Sequence, residues 1–138
     1  MTSPNENNMN QEELRARFMR FAIAIVRLTE KFPRKTVYFV IEKQIIRCSS
    51  SSAANYRAAG RAKSGPDFIN KLKIVEEELD ETLFWLDFTI AVDSNWESDI
   101  SPLKKEGNEL LSIIVASIKT SRQNLLKFSK RISVKPKP

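Results

Sequence analysis

The chain has 138 residues, 41% hydrophobic and 29% charged, with a formal net charge of +6, which is the size and make-up of one soluble globular domain with a real core. It contains no histidine, which removes the commonest general base and the commonest zinc and iron ligand. Its one cysteine, Cys48, excludes an internal disulfide and a cysteine-cluster metal site.

Residues 1–10 are polar and lack the basic-then-apolar layout of a signal peptide, so they read as a flexible tail. The longest apolar run, Phe21 to Val26, falls far short of the ~20 residues of a membrane span. A soluble, cytoplasmic protein without a membrane partner is expected.

Pro33, Pro66 and Pro102 divide the rest into four intervals, and because proline is tolerated only in the first turn of a helix, each interval reads as one helix. The first is expected over 11–31, with an apolar stripe of Leu14, Phe18, Phe21, Ile25, Leu28 and Phe32 at alternating spacings of four and three. The second, over 35–63, runs Val37, Ile41, Gln44 or Ile45, Cys48, Ser52, Asn55 and Ala59, starting apolar and turning small and polar. The third opens at Ser64-Gly65-Pro66-Asp67, with Ser64 or Gly65 as cap, and follows Phe68, Leu72, Val75, Leu79, Thr82 and Leu86. A longer link over 93–101 is expected as a mobile loop. The fourth helix then opens at Ser101-Pro102 and follows Leu103, Leu110, Leu111, Ile114, Ile118, Leu125 and Phe128. Residues 132–138 read as a basic, flexible tail. No segment alternates apolar and polar residues convincingly. The fold class is all-α: an antiparallel up-down four-helix bundle over residues 11–131.

Charge is segregated along this order. Residues 1–35 carry net +3, 36–65 net +4, 66–100 net −8 and 101–138 net +7. One acidic helix therefore sits among three basic segments.

Helix 3 has a second stripe, Ile74, Glu78, Glu81, Trp85, Phe88 and Val92, and Phe84, Trp85 and Phe88 make its C-terminal half apolar nearly all round. A subunit interface is favoured over a merely deeply buried helix, because a monomeric bundle leaves each helix one wet side. The run Cys48 to Asn55, with serines at 49–52, suits close helix packing, with hydroxyls and Arg47 as partners for helix 3 carboxylates. Counted back from the 64–67 turn, Ser51 and Ser52 fall level with Glu77 and Glu78, and Arg47 with Glu81. A polar-ligand or phosphate site using Arg47, Arg57, Arg61 and Lys63 is the sharper alternative. A catalytic serine is the weakest reading, since no histidine can activate it. Glu76, Glu77, Glu78, Asp80 and Glu81 have no Glu-x-x-His partner and no second acidic helix, so they read as an acidic face paired with basic helix 2 rather than a di-metal site, and no metal or cofactor is expected. Arg15, Arg17, Arg20 and Arg27 of helix 1 and Lys119, Arg122, Lys127, Lys130 and Arg131 of helix 4 are candidates for neutralising phosphates, without a motif for sequence readout.

The stretch Gln44 to Ala59, then Arg61-Ala62-Lys63-Ser64, Asp67 to Leu72, Val75-Glu76-Glu77-Glu78 and Glu81 to Leu86 resembles the signature of a bacterial four-helix-bundle family. That family is known from proteins encoded by intervening sequences in large-subunit (23S) ribosomal RNA genes, and includes the accessory variability proteins of diversity-generating retroelements. The resemblance spans roughly residues 12–128. Many members have glycine near position 53, where this chain has Ala53, so the local packing differs without affecting the fold. The resemblance implies a homopentamer around a central channel; its retroelement members bind nucleic acid and a reverse transcriptase through a basic surface. It carries over no catalytic residues. Asn55, Tyr56, Lys63, Ser64, Phe68, Glu77, Glu81 and Trp85 transfer as signature positions with structural jobs.

Together these readings lead to a non-enzymatic, pentameric helical scaffold binding RNA or DNA through phosphates. The alternative is a protein–protein adaptor with no nucleic-acid partner.

Overall fold

The computed structural model describes residues 10–134. Of the expected flexible tails, 1–10 and 132–138, residues 1–9 and 135–138 lie outside the described residues. Four helices follow in order: α1 (Gln11–Thr29), α2 (Thr36–Ala59), α3 (Gly65–Val92) and α4 (Glu97–Val134), with a 3-10 turn at Ser94–Trp96. No strand occurs among the described residues. Each helix packs on the next, and α4 closes against α1, giving the four-helix bundle.

The helix starts follow from local chemistry. The Asn10 carboxamide oxygen accepts from the Glu13 backbone N–H at 2.8 Å, and the Ser64 hydroxyl accepts from that of Asp67 at 3.2 Å. Ser64, not Gly65, is the α3 cap, and Pro66 lies in the first turn, where its missing N–H costs nothing. The predicted stripes form the core: Phe18, Ile25, Ile41, Ile45, Leu72, Leu79, Leu86, Leu110 and Ile114 are all fully buried. Each contributes about 1.5–3 kcal/mol through its removal from water. Phe68 and Val37 are only half-buried; Ile69 and Tyr38 take the inward positions.

The 93–101 segment is a correction. It is not a mobile loop: the Asp93 carboxylate accepts from the Asn95 N–H, a 3-10 turn follows, and α4 begins at Glu97 with Pro102 inside it. Trp96 stacks edge-on against Phe32 at 5.1 Å and donates its indole N–H to the Tyr38 hydroxyl at 3.0 Å, while Ile100, one turn later, is fully buried. These two anchors hold the segment helical and outweigh the backbone hydrogen bond that Pro102 removes. α1 ends at Thr29 and α2 spans 36–59, each shorter than expected, while α4 continues to Val134, beyond the expected start of the tail.

The α3–α4 register sets the shape of one end. Lys104 pairs with Asp87 at 2.7 Å. A β-carbon on Gly107 would lie 2.9 Å from Leu83 Cδ2, and one on Gly65 would lie 2.7 Å from Leu125 Cδ2. These contacts share one antiparallel register, so Leu125 is level with the first residue of α3. Residues 126–134 of α4 therefore project beyond the bundle for about 13 Å, at 1.5 Å per residue.

Candidate nucleic-acid interface

The basic candidates divide into those consumed inside the bundle and those left facing water. Arg17 belongs to the first group. Its Nε donates to one Glu106 carboxylate oxygen at 2.8 Å and its Nη2 to the other at 2.7 Å, with Glu109 at 3.0 Å. Hydrogen bonding from Arg17 holds the Glu106 carboxyl below the usual carboxylate range, and Glu106 in turn raises the Arg17 pKa. This bidentate pair ties α1 to α4 and takes Arg17 out of any phosphate-binding set. Arg27 bonds Glu30 one turn along at 2.8 Å on the surface. Arg15 and Arg20 are exposed on α1.

The α4 cations face water. Lys119 and Arg122 line a shallow groove with Lys73 and Glu76 of α3. Lys127, Lys130 and Arg131 surround Phe128 on the projecting end of α4, and all three are exposed. Leu126, Phe128 and Ile132 lie exposed among them, so this end is basic and apolar together.

On the α2–α3 face, Arg47 bonds both Glu78, at 3.3 Å, and Glu81. The Arg47 hydrogen bond lowers the Glu81 pKa, and the Trp85 indole N–H donates to the same carboxylate at 3.2 Å. The expected level of Arg47 with Glu81 holds. The expected serine partnership does not: Ser49, Ser50 and Ser52 donate to the carbonyls of Ile46, Arg47 and Ser49, one turn back in their own helix. Asn55 donates to the Ser51 carbonyl and hydroxyl. Of the acidic face, Glu78 and Glu81 pair with α2, Asp87 pairs with α4, and Glu76, Glu77 and Asp80 make no ion pair among the described residues. No group of metal-ligating side chains gathers among those residues.

The other signature positions have structural jobs. Tyr56 stacks on Phe18 with ring centroids 4.9 Å apart, bridging α2 and α1, and burial raises its phenol pKa. The Lys63 backbone N–H donates to the Asp67 carboxylate at 3.1 Å, closing the α2–α3 turn. Glu77 is exposed. Trp85 packs edge-on with Phe84 at 5.0 Å and Phe88 at 5.2 Å, and Phe84 is 54% exposed. Sequence reasoning missed the Arg17–Glu106 pair because its partners are 89 residues apart. It also missed the projection of α4, whose signal was the apolar spacing running on through Ile132.

No helix among the described residues is long and apolar enough to cross a membrane. The family model for the 23S rRNA-intervening sequence protein matches residues 11–116. The chain is also similar to a crystal structure of a protein of unknown function from Bacteroides thetaiotaomicron, described as belonging to the S23 ribosomal protein family. Identity is 32%, the match covers 80% of this chain and 99% of that one, and the TM-score is 0.73. A comparison with curated proteins returns no match.

Proposed function

We propose a function from one premise: the chain belongs to the 23S rRNA-intervening sequence protein family. It acts as a non-enzymatic, homo-oligomeric scaffold, pentameric as the family resemblance implies, that binds RNA or DNA through phosphates. One observation carries the nucleic-acid reading. α4 leaves the bundle with Lys127 and Arg131 exposed on the projecting end, and Lys119 and Arg122 on the same helix below it. Cations on a projecting helix can approach a polyanion without desolvating the bundle, and copies of that helix in one assembly add their fields. The oligomeric reading rests on the aromatic edge of α3, where Phe84, Phe88 and Val92 stand exposed.

Two measurements test this. Light scattering of the purified chain is expected to give a mass several times that of the 15.9 kDa chain. The protein is expected to be retained on a nucleic-acid column at low salt and released as salt rises. Absence of retention at low salt, or retention unchanged by salt, contradicts phosphate binding.

Leu126, Phe128 and Ile132 on the same projection favour one second reading, an adaptor that docks a protein. A protein partner such as a reverse transcriptase, retained by the scaffold after nuclease treatment, supports it. Loss of all partners on nuclease treatment contradicts it.

A further inference from the structure

The exposed aromatic rings stand in different surroundings. Phe84 and Phe88 pack against Trp85 on α3, the acidic helix, and the Arg34 guanidinium lies over Phe39 at 5.9 Å from the ring centroid. Phe128, on the projecting end of α4, is 62% exposed, and no other ring packs on it among the described residues. It shares an open concavity of about 580 Å³ with Asn124, Lys127, Lys130 and Arg131, and none of the lining residues is acidic. Asn124, Lys127, Phe128 and Arg131 fall within about 100° of the helix circumference, so one face carries an amide, a bare ring and two cations.

We propose that this face of α4 takes single-stranded nucleic acid, with an unpaired base stacked on the Phe128 ring. The inference rests on the phosphate-binding reading above and names the state of the strand that the same site selects. Lys127 and Arg131 are one helical turn apart, about 6 Å along the axis, and can each meet a phosphate to either side of the stacked base. Stacking on phenylalanine is open to every base, because every base has a π-face. The Asn124 carboxamide, one turn before the ring, can both donate to and accept from a base edge.

A duplex fits this face less well. Its base faces are covered by their neighbours in the stack, so it offers Phe128 nothing unless a base step is opened, and opening a step costs free energy. Cations alone serve a duplex and a single strand alike; the bare ring among them is what separates the two. The other exposed rings lack one half of the combination. Phe84 and Phe88 share α3 with Glu81 and Asp87, which repel a polyanion, and the face of Phe39 is already taken by Arg34.

Two labelled probes test the assignment by anisotropy at matched salt: a single-stranded DNA oligonucleotide without self-complementarity, and the same sequence annealed to its complement. The wild type is expected to bind the single strand more tightly than the duplex. Phe128→Ala is expected to weaken single-strand binding by about tenfold, with the salt slope unchanged because no phosphate contact is lost. It is expected to leave duplex binding within about twofold. Phe128→Trp restores single-strand affinity, and its added fluorescence is quenched on saturation with the oligonucleotide. Position 128 is exposed, and circular dichroism is expected to show the wild-type helix content for both variants. A duplex bound as tightly as the single strand, or a Phe128→Ala variant that weakens both probes equally or neither, overturns the stacking assignment and leaves phosphate binding standing. Failure of the wild type to bind either probe at low salt overturns the phosphate-binding reading as well.

Discussion

Gly65 opens α3 directly beneath Leu125 of α4, so close that a β-carbon at 65 would lie 2.7 Å from Leu125 Cδ2. This contact marks where α4 passes the start of α3, its neighbour in the bundle. From Leu126 onward the helix extends past the bundle formed by the described residues, and a short projecting stretch of helix is marginal in water. Backbone amides over 127–134 are expected to exchange with deuterium at least about a hundredfold faster than those over 107–118, which the core protects. Equal protection along α4 in a monomeric sample contradicts the projection.

Gly107 is the second close approach. A β-carbon there would lie 2.9 Å from Leu83 and 3.1 Å from Phe21, both in the core. Gly107→Val is expected to destabilise the fold by about 2–3 kcal/mol in chemical denaturation, since the added volume has nowhere to go. A change below about 0.5 kcal/mol shows that α4 can shift freely there.

The Arg17–Glu106 pair makes stability depend on pH. The carboxyl of Glu106 is lowered in the fold by Arg17, so its contribution is present above the ordinary carboxylate range and is lost as pH falls through the lowered value. Glu106→Gln is expected to cost about 1–2 kcal/mol at neutral pH. The gap from wild type then closes as the solution is acidified. A gap that stays constant with pH contradicts the ion-pair assignment.

Cys48 is fully buried, and burial pushes its thiol up to about 11. At pH 8 a disulfide reagent is expected to modify it at least about a hundredfold more slowly in the folded protein than in denaturant. Rapid labelling of the native chain contradicts the tight α2–α3 packing around Thr82.

Much of the bundle was legible in the sequence because prolines and apolar spacing act locally. Pro66 beside Ser64 gave the α3 start, and the Leu72–Leu86 stripe gave its buried side. Pro102 misled for the same reason: as a local breaker it placed the α4 start too late. The tertiary anchors Trp96 and Ile100, in step with Leu103 and Leu110, carry the helix back to Glu97. Side-chain partners were less legible. The serine run packs as expected by size, yet its hydroxyls turn back to their own helix, where a carbonyl is always within reach. Arg17 looked like the free cations of α1 because its carboxylates arrive only when α4 folds alongside.

Phosphate binding through the α4 projection is tested most directly by fluorescence anisotropy of a labelled RNA or DNA, titrated with protein across a range of salt. Log affinity is expected to fall linearly with log salt for the wild type. The double variant Lys127→Glu, Arg131→Glu is expected to bind at least about tenfold more weakly at low salt, with a shallower slope by about two. Arg17→Ala is expected to leave the slope unchanged, since Arg17 is already paired. An affinity independent of salt, or a slope that Arg17→Ala reduces and the double variant does not, contradicts it.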